Sequence, residues 1–227
     1  MVTNLGFYFT TQKEVRGGKF VWWGDTNPTL MQNQLLGGDL LNPKKGFDHF
    51  YAGQLAKYVP GGGLSSDTEG ITIYRAFSVT KDEESKTIEL SATGWDDAPE
   101  EGMIVMVAPA NASTTGQSAK ITEVVYDKEE ETFTITVDTA LDAEEGDILV
   151  EAKGSAASAT ATPLVDYVNM WILADTDLLP TDDFGIKDGH YYLSGVSGCA
   201  AYIGRMQPLT DYILAQNESK IDGVFKL

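Results

Sequence analysis

Between residues 71 and 152 the chain carries six short runs of β-branched and aromatic residues, each closed off by turn residues. No other feature limits the fold as much. The runs cover 71–79, 87–93, 103–108, 119–126, 132–137 and 147–152. In Thr132-Phe133-Thr134-Ile135-Thr136-Val137 every second residue is apolar, so Phe133, Ile135 and Val137 share one face. A period of two places one face of a strand in a core and the other in water. Asp127, Lys128, Glu129, Glu130 and Glu131 separate two of the runs and predict a charged hairpin tip. Gly102 and Gly146 each follow an acidic turn and precede a run. Strands this short and this evenly spaced predict a small barrel or a sandwich.

The same block holds most of the negative charge. The chain of 227 residues has 34 acidic and 16 basic side chains, a net charge of -18. Residues 1–70 hold 6 of each, residues 71–152 hold 19 acidic against 5 basic, and residues 153–227 hold 9 against 5. An acidic surface is repelled by nucleic acid and by anionic lipid, so neither is an expected partner. The neutral, aromatic N-terminal end is better suited to burial against protein. This polarity predicts a docking end and a solvent-facing end.

The flanks read as mixed α+β. Phe7-Tyr8-Phe9 and Phe20-Val21-Trp22-Trp23 have the composition of strands or extended arms. Asp25 or Thr26 caps an expected short helix, with Pro28 in its first turn and Leu30, Met31, Leu35 and Leu36 at helical spacing. Gly37-Gly38 would end it. Pro60, Gly61, Gly62 and Gly63 read as a hinge, and residues 153–162 as a small-residue linker. Further strands are expected at 168–174, 191–196 and 200–204. Pro208 opens a helix reaching Gln216, with Leu209, Tyr212, Ile213 and Leu214 on its apolar face. Ile221, Val224, Phe225 and Leu227 make an apolar tail of the kind that docks. The expected protein is therefore mainly β with minor α. A small central β-barrel or sandwich (71–152) lies between an aromatic anchoring segment (1–63) and a mixed C-terminal segment (163–227).

Catalytic constellations are sparse. The chain has two histidines, His49 and His190, and one cysteine, Cys199. A Cys–His nucleophile needs the fold to bring Cys199 to either ring, whereas a lone cysteine is more often a small buried hydrophobe. A single cysteine also excludes an internal disulfide. Gly195-Val196-Ser197-Gly198 departs from the G-x-S-x-G elbow of hydrolases. Asp175, Asp177, Asp182, Asp183 and Asp188 could offer oxygen ligands to calcium, but they lack the EF-hand spacing. Gly61-Gly62-Gly63 lacks the Lys-Ser/Thr of a phosphate-binding loop. No catalytic residue, cofactor or metal is expected, and the chain reads as a non-enzyme. No run approaches the ~20 apolar residues of a membrane-spanning helix. The first residues also lack the basic and apolar regions of a secretion signal.

Trp22, Trp23, Phe47, Phe50, Tyr51 and Tyr58 crowd one short segment. Three readings stand: the core of an N-terminal lobe, a partner interface where Trp and Tyr act as anchors, or a sugar-stacking platform. As interface candidates we take Trp22, Trp23, Phe47, Phe50 and Tyr51, with Tyr212 and Phe225 from the C-terminal segment. Gln54 and Lys57 are expected to add polar contacts.

Several stretches resemble a known group. They are Gly18-Lys19-Phe20-Val21-Trp22-Trp23-Gly24-Asp25, Gly37-Gly38-Asp39-Leu40-Leu41-Asn42-Pro43 and Gly46-Phe47-Asp48-His49-Phe50-Tyr51 near the start. Near the end they are Met170-Trp171-Ile172-Leu173-Ala174-Asp175-Thr176, Gly189-His190-Tyr191-Tyr192-Leu193 and Ser219-Lys220-Ile221-Asp222-Gly223-Val224-Phe225. In texture, rather than by any chemical motif, they are similar to the head-fibre and head-auxiliary (capsid decoration) proteins of crAss-like and related Bacteroidales tailed phages. The resemblance implies a non-enzymatic protein of the virion, made in the bacterial host cytoplasm and bound to the major capsid protein on the capsid exterior. It also implies a homo-oligomer, with a trimer among the expected forms, and it brings no catalytic residue to this chain. A carbohydrate-binding module on a host-attachment structure is the alternative function, and a hydrolase using Cys199 or a carboxylate pair is the third.

Overall fold

The structure is a computed structural model. It describes residues 32–44, 49–50, 53–84, 86–92, 98–172, 176–177, 190–197, 200–202, 207–216 and 224–226. The protein is mainly β with very little helix. It divides into two compact units, one made of residues 1–73, 169–206 and 220–227 and the other of residues 74–168 and 207–219. We call them the terminal unit and the acidic unit. Parts of the N- and C-terminal flanks are thus grouped in one unit, and the acidic unit, which also takes residues 207–219, is not simply a middle segment. This division concentrates the charge further: 22 acidic against 6 basic residues in the acidic unit (-16), and 12 against 10 in the terminal unit (-2).

In chain order the terminal unit opens with β1 (Gln32–Leu40), β2 (His49–Phe50), β3 (Leu55–Val59) and β4 (Gly70–Ile73). The acidic unit contributes β5 (Ala76–Glu84), β6 (Thr87–Ser91), β7 (Ile104–Val107), β8 (Ser118–Asp127), β9 (Thr132–Val137), β10 (Ile148–Lys153) and β11 (Thr162–Pro163). The terminal unit resumes with β12 (Met170–Ile172), β13 (Thr176–Asp177), β14 (His190–Ser197) and β15 (Ala200–Tyr202). Helix α1 (Asp211–Gln216) returns to the acidic unit, and β16 (Val224–Lys226) to the terminal one.

Five strands of the terminal unit close a barrel in the order β1-β14-β12-β3-β4. β1 runs antiparallel to β14 from Gln32 opposite Ser197 to Asp39 opposite His190, and meets β4 in parallel at Asp39–Gly70 and Leu40–Ile71. Leu40, Phe50, Ala56, Ile71, Ile73, Met170 and Ile172 fill the interior. The helix expected to reach Leu36 is corrected here, because residues 32–40 are strand. The ladder to β14 outweighs a local 3.6-residue pattern, as tertiary pairing commonly overrides propensity. Gly38 does not stop an element but permits a close approach. A Cβ there would sit 2.9 Å from Cγ1 of Ile71 and 3.2 Å from the Glu69 carbonyl.

The expected hinge at 60–63 is also corrected. It is the start of an ordered loop joining β3 to β4, which are hydrogen-bonded neighbours. Within it Gly63 donates its N–H to the Thr68 carbonyl at 2.9 Å, and Gly61 donates to the Glu69 carboxylate at 2.7 Å.

The acidic unit holds a seven-stranded sheet in the order β11-β10-β5-β6-β9-β8-β7, and β10 pairs with β7 as well as with β5. Its interior is built from Phe77, Val79, Ile88, Leu90, Val105, Ala119, Ile121, Ile135, Val137, Leu141, Ala143 and Leu149. Ten of these are alternate positions of the runs read above, so the period-two pattern selects the core face; Leu141 and Ala143 come from the loop between β9 and β10. The first run, 71–79, is divided: β4 ends at Ile73, β5 begins at Ala76, and the boundary between the units falls between Ile73 and Tyr74. Residues 153–162 are not a free linker. Gly116 and Ala161 exchange backbone hydrogen bonds of 2.9 and 3.1 Å, and the buried Ser118 donates its N–H to Ser158 O at 2.8 Å. α1 buries Tyr212 and Ile213 as its apolar face predicts, and Leu209 just before it is also buried.

Candidate functional site

The interface candidates do not gather into one described patch. Trp22, Trp23, Phe47 and Tyr51 lie outside the described residues. Phe50 is fully enclosed in the barrel core, its ring edge-on to Tyr191 with centroids 5.7 Å apart and planes at 78°. Tyr212 is likewise buried and donates its hydroxyl to Val165 O at 3.2 Å. Expecting these two rings as surface anchors is therefore corrected: each is used inside its own unit. Phe225 stands in β16, opposite Ala201 in a parallel pair with β15. Of the two polar candidates, Gln54 is fully buried and Lys57 is half-buried in β3.

Among the described residues, those weighed for catalysis are not brought together into one site. His49 is the register partner of Asp177, and His190 that of Asp39. Neither pairing adds a nucleophile, and Cys199 lies outside the described residues. Among the described residues no group of three or more His, Cys, Asp and Glu comes together in a way that could hold a metal ion. Asp182, Asp183 and Asp188 lie outside the described residues, as does Asp175. None of the helices among the described residues is long and apolar enough to cross a membrane.

Three polar arrangements were not legible in the sequence. Asp39 is buried, and its Oδ2 accepts the Leu64 N–H at 2.8 Å and the Thr68 hydroxyl, tying the 60–69 loop to β1. Arg75, 1% exposed at its side chain, pairs with Glu151 at 3.3 Å. Tyr74 donates its hydroxyl to Pro208 O at 2.9 Å and accepts the Thr210 N–H at 3.2 Å. Burial pushes the Tyr74 hydroxyl pKa well above its ordinary value, with a further push from Tyr212. Burial raises that of Tyr212 to about 12. Each arrangement joins residues far apart in sequence.

The acidic unit also carries a projecting hairpin. β8 is buried near Ser118 and exposed toward Asp127, so its outer half extends past the core. Val125 and Tyr126 are 53% and 51% exposed, and the Tyr126 ring lies 5.0 Å from that of Phe133 across the hairpin. At the tip, Asp127 caps the turn by accepting the N–H groups of Glu129 and Glu130. The alternation of 119–126 running directly into an acidic run is the sequence signal for this hairpin.

No family model matches this chain, and no curated protein or solved structure does either.

Proposed function

We propose that this chain is a non-enzymatic structural protein of a virion, attached to the outer surface of a phage capsid as a head fibre or auxiliary decoration protein. The observation that carries the reading is the unequal division of charge between two β units, -16 in one and -2 in the other. A particle displaying many copies of one protein needs an anchoring body that does not repel its neighbours and an outer body that stays soluble when crowded. The terminal unit, with the aromatic segment at 1–63, suits the first task. The acidic unit, read as a small β-barrel or sandwich, suits the second, because its charge also repels stray nucleic acid. The resemblance in texture to head-fibre and head-auxiliary proteins supports the same assignment. In it the major capsid protein is the partner, the assembly is a homo-oligomer such as a trimer, and Trp22 and Trp23 are the foremost anchors.

The test is co-sedimentation of the purified chain with phage capsids stripped of their decoration. Saturable binding, weakened in a folded Trp22→Ala, Trp23→Ala double variant, is the expected result. Unchanged occupancy with that variant removes the two tryptophans as anchors, and no binding to any capsid removes the assignment. The second reading, a carbohydrate-binding module, rests on the same aromatic crowding in residues 1–63. It would be favoured by saturable glycan binding that the double variant loses.

A further inference from the structure

Among the described residues, the hairpin of the acidic unit has an edge with no strand beside it. On the side facing β7, the pairing of β8 reaches only as far as Ile121, which donates to Met103 O at 2.9 Å and accepts the Gly102 N–H at 2.8 Å. A register shift between Ile121 and Glu123 follows immediately. Such a bulge bends and twists the strand that carries it, and here it coincides with the end of the β7 ladder. From that point residues 122–127 pair only with β9 among the described residues. Among the described residues, a stretch of about six residues, or roughly 20 Å of strand, therefore has no backbone partner on that side, where every second residue points its N–H and C=O.

The side chains along this edge define what could fill it. Past the bulge the register is regular, so Glu123, Val125 and Asp127 alternate onto one face and Val124 and Tyr126 onto the other. The first face reads acid, apolar, acid. Carboxylates frame the edge at both ends, Glu100 and Glu101 beside the β7 terminus and Glu129, Glu130 and Glu131 at the hairpin tip, with Lys128 as the one cation in residues 121–131. A second copy of the chain is a poor occupant, because antiparallel edges would set Glu123 and Asp127 against their own like charges.

We propose that residues 122–127 of β8 form a strand-addition site for an extended segment of another protein. That segment alternates Lys or Arg with an apolar residue, in the pattern basic-x-apolar-x-basic. The backbone supplies the ladder. The incoming cations stand opposite Glu123 and Asp127, and the apolar residue covers Val125, which is otherwise half in water. Main-chain hydrogen bonds give such a complex its affinity, and alternate side chains give it selectivity. Capture of this kind by the acidic unit is independent of what the terminal unit docks to.

The test titrates the full chain into a labelled peptide, Thr-Lys-Thr-Val-Thr-Lys-Thr, by fluorescence anisotropy, and follows amide hydrogen exchange in the complex. The expected result is saturable binding that weakens with salt and slows exchange at residues 122–127. A Glu123→Lys, Asp127→Lys variant should bind this peptide at least about tenfold more weakly and bind Thr-Glu-Thr-Val-Thr-Glu-Thr instead. Both changes lie on exposed positions, and an unchanged melting curve would confirm that the variant is folded. The proposal is overturned by no binding, by equal binding of the basic and acidic peptides to the native chain, or by binding without protection of 122–127. Protection of these amides in the chain alone, rising with its concentration, would assign the edge to a second copy and also overturn it.

Discussion

Thr68 donates its hydroxyl to Oδ2 of Asp39, 29 residues earlier in the chain. The same oxygen accepts the Leu64 N–H, so one carboxylate holds both arms of the loop between β3 and β4. Hydrogen bonds to a charged acceptor contribute about 1.5–3 kcal/mol each, and a buried acceptor that loses its donors costs a similar amount. Asp39→Ala should therefore destabilise the protein by about 2–3 kcal/mol, and Thr68→Val by about 1–2 kcal/mol. Urea unfolding would measure both. Limited proteolysis should show new cleavage near Leu64, which is 72% exposed at the loop tip. Unchanged proteolysis in Asp39→Ala would mean that the carboxylate does not hold the loop.

Gly63 makes that arrangement sterically possible. A Cβ on it would lie 2.6 Å from the Glu69 carbonyl and 2.7 Å from Oδ2 of Asp39. Backbone oxygen cannot swing aside as a side-chain terminus can. Gly63→Ala should cost about 1–3 kcal/mol as an overpacking change. Gly61→Ala in the same loop meets no atom within 4 Å, and its φ of 67° makes backbone strain its only penalty. Comparing the two melting temperatures separates crowding from strain, and the larger loss is expected for Gly63→Ala.

The strands of the acidic unit were legible because their signal is local. Residues 132–137 coincide with β9, and 119–126 fall within β8. What was not legible is pairing between distant segments. Nothing near Leu35 announces Ser194 as its partner, so Leu30, Met31, Leu35 and Leu36 read as a helix while β1 forms on β14. The Gly-rich loop read as a hinge for the same reason, since its anchor Asp39 stands in another strand. Aromatic content likewise does not distinguish core from interface. Phe50 and Tyr212 are apolar anchors of their own units, and composition alone assigned them outward. Arg75 reads as an interruption of the run 71–79, yet it is fully buried, because its ion-pair partner lies in β10.

That ion pair gives a third prediction. The Arg75 guanidinium is almost wholly enclosed, and Glu151 is only 16% exposed. Removing one partner from a buried pair costs about 3–5 kcal/mol, because the other charge stays behind in a poor solvent. With Glu151 partly open to water, Glu151→Gln should cost somewhat less, about 2–3 kcal/mol. The loss should change little between low and high salt, because buried pairs are weakly screened. A loss that vanishes in high salt would show that Arg75 and Glu151 interact through solvent.

The two buried tyrosines predict how the acidic unit fails in alkali. Burial raises the pKa of Tyr212 from 10.0 to about 12 and that of Tyr74 further. Above the ordinary tyrosine pKa the unfolded chain loses these protons while the folded chain keeps them, so the folded state binds more protons. Stability is then whole below about pH 10 and declines as pH rises from there toward the folded values, by roughly 1.4 kcal/mol per pH unit for each tyrosine. Alkaline titration should show phenolate absorbance from these two rings appearing together with loss of β circular dichroism, rather than ahead of it. Tyr212→Phe gives up the hydroxyl bond to Val165, costing about 1 kcal/mol at neutral pH, and flattens the decline above pH 10. If both rings ionise near pH 10 with the fold intact, the hydroxyls are open to water and the packing of α1 against this unit is looser than Tyr212 and Ile213 indicate.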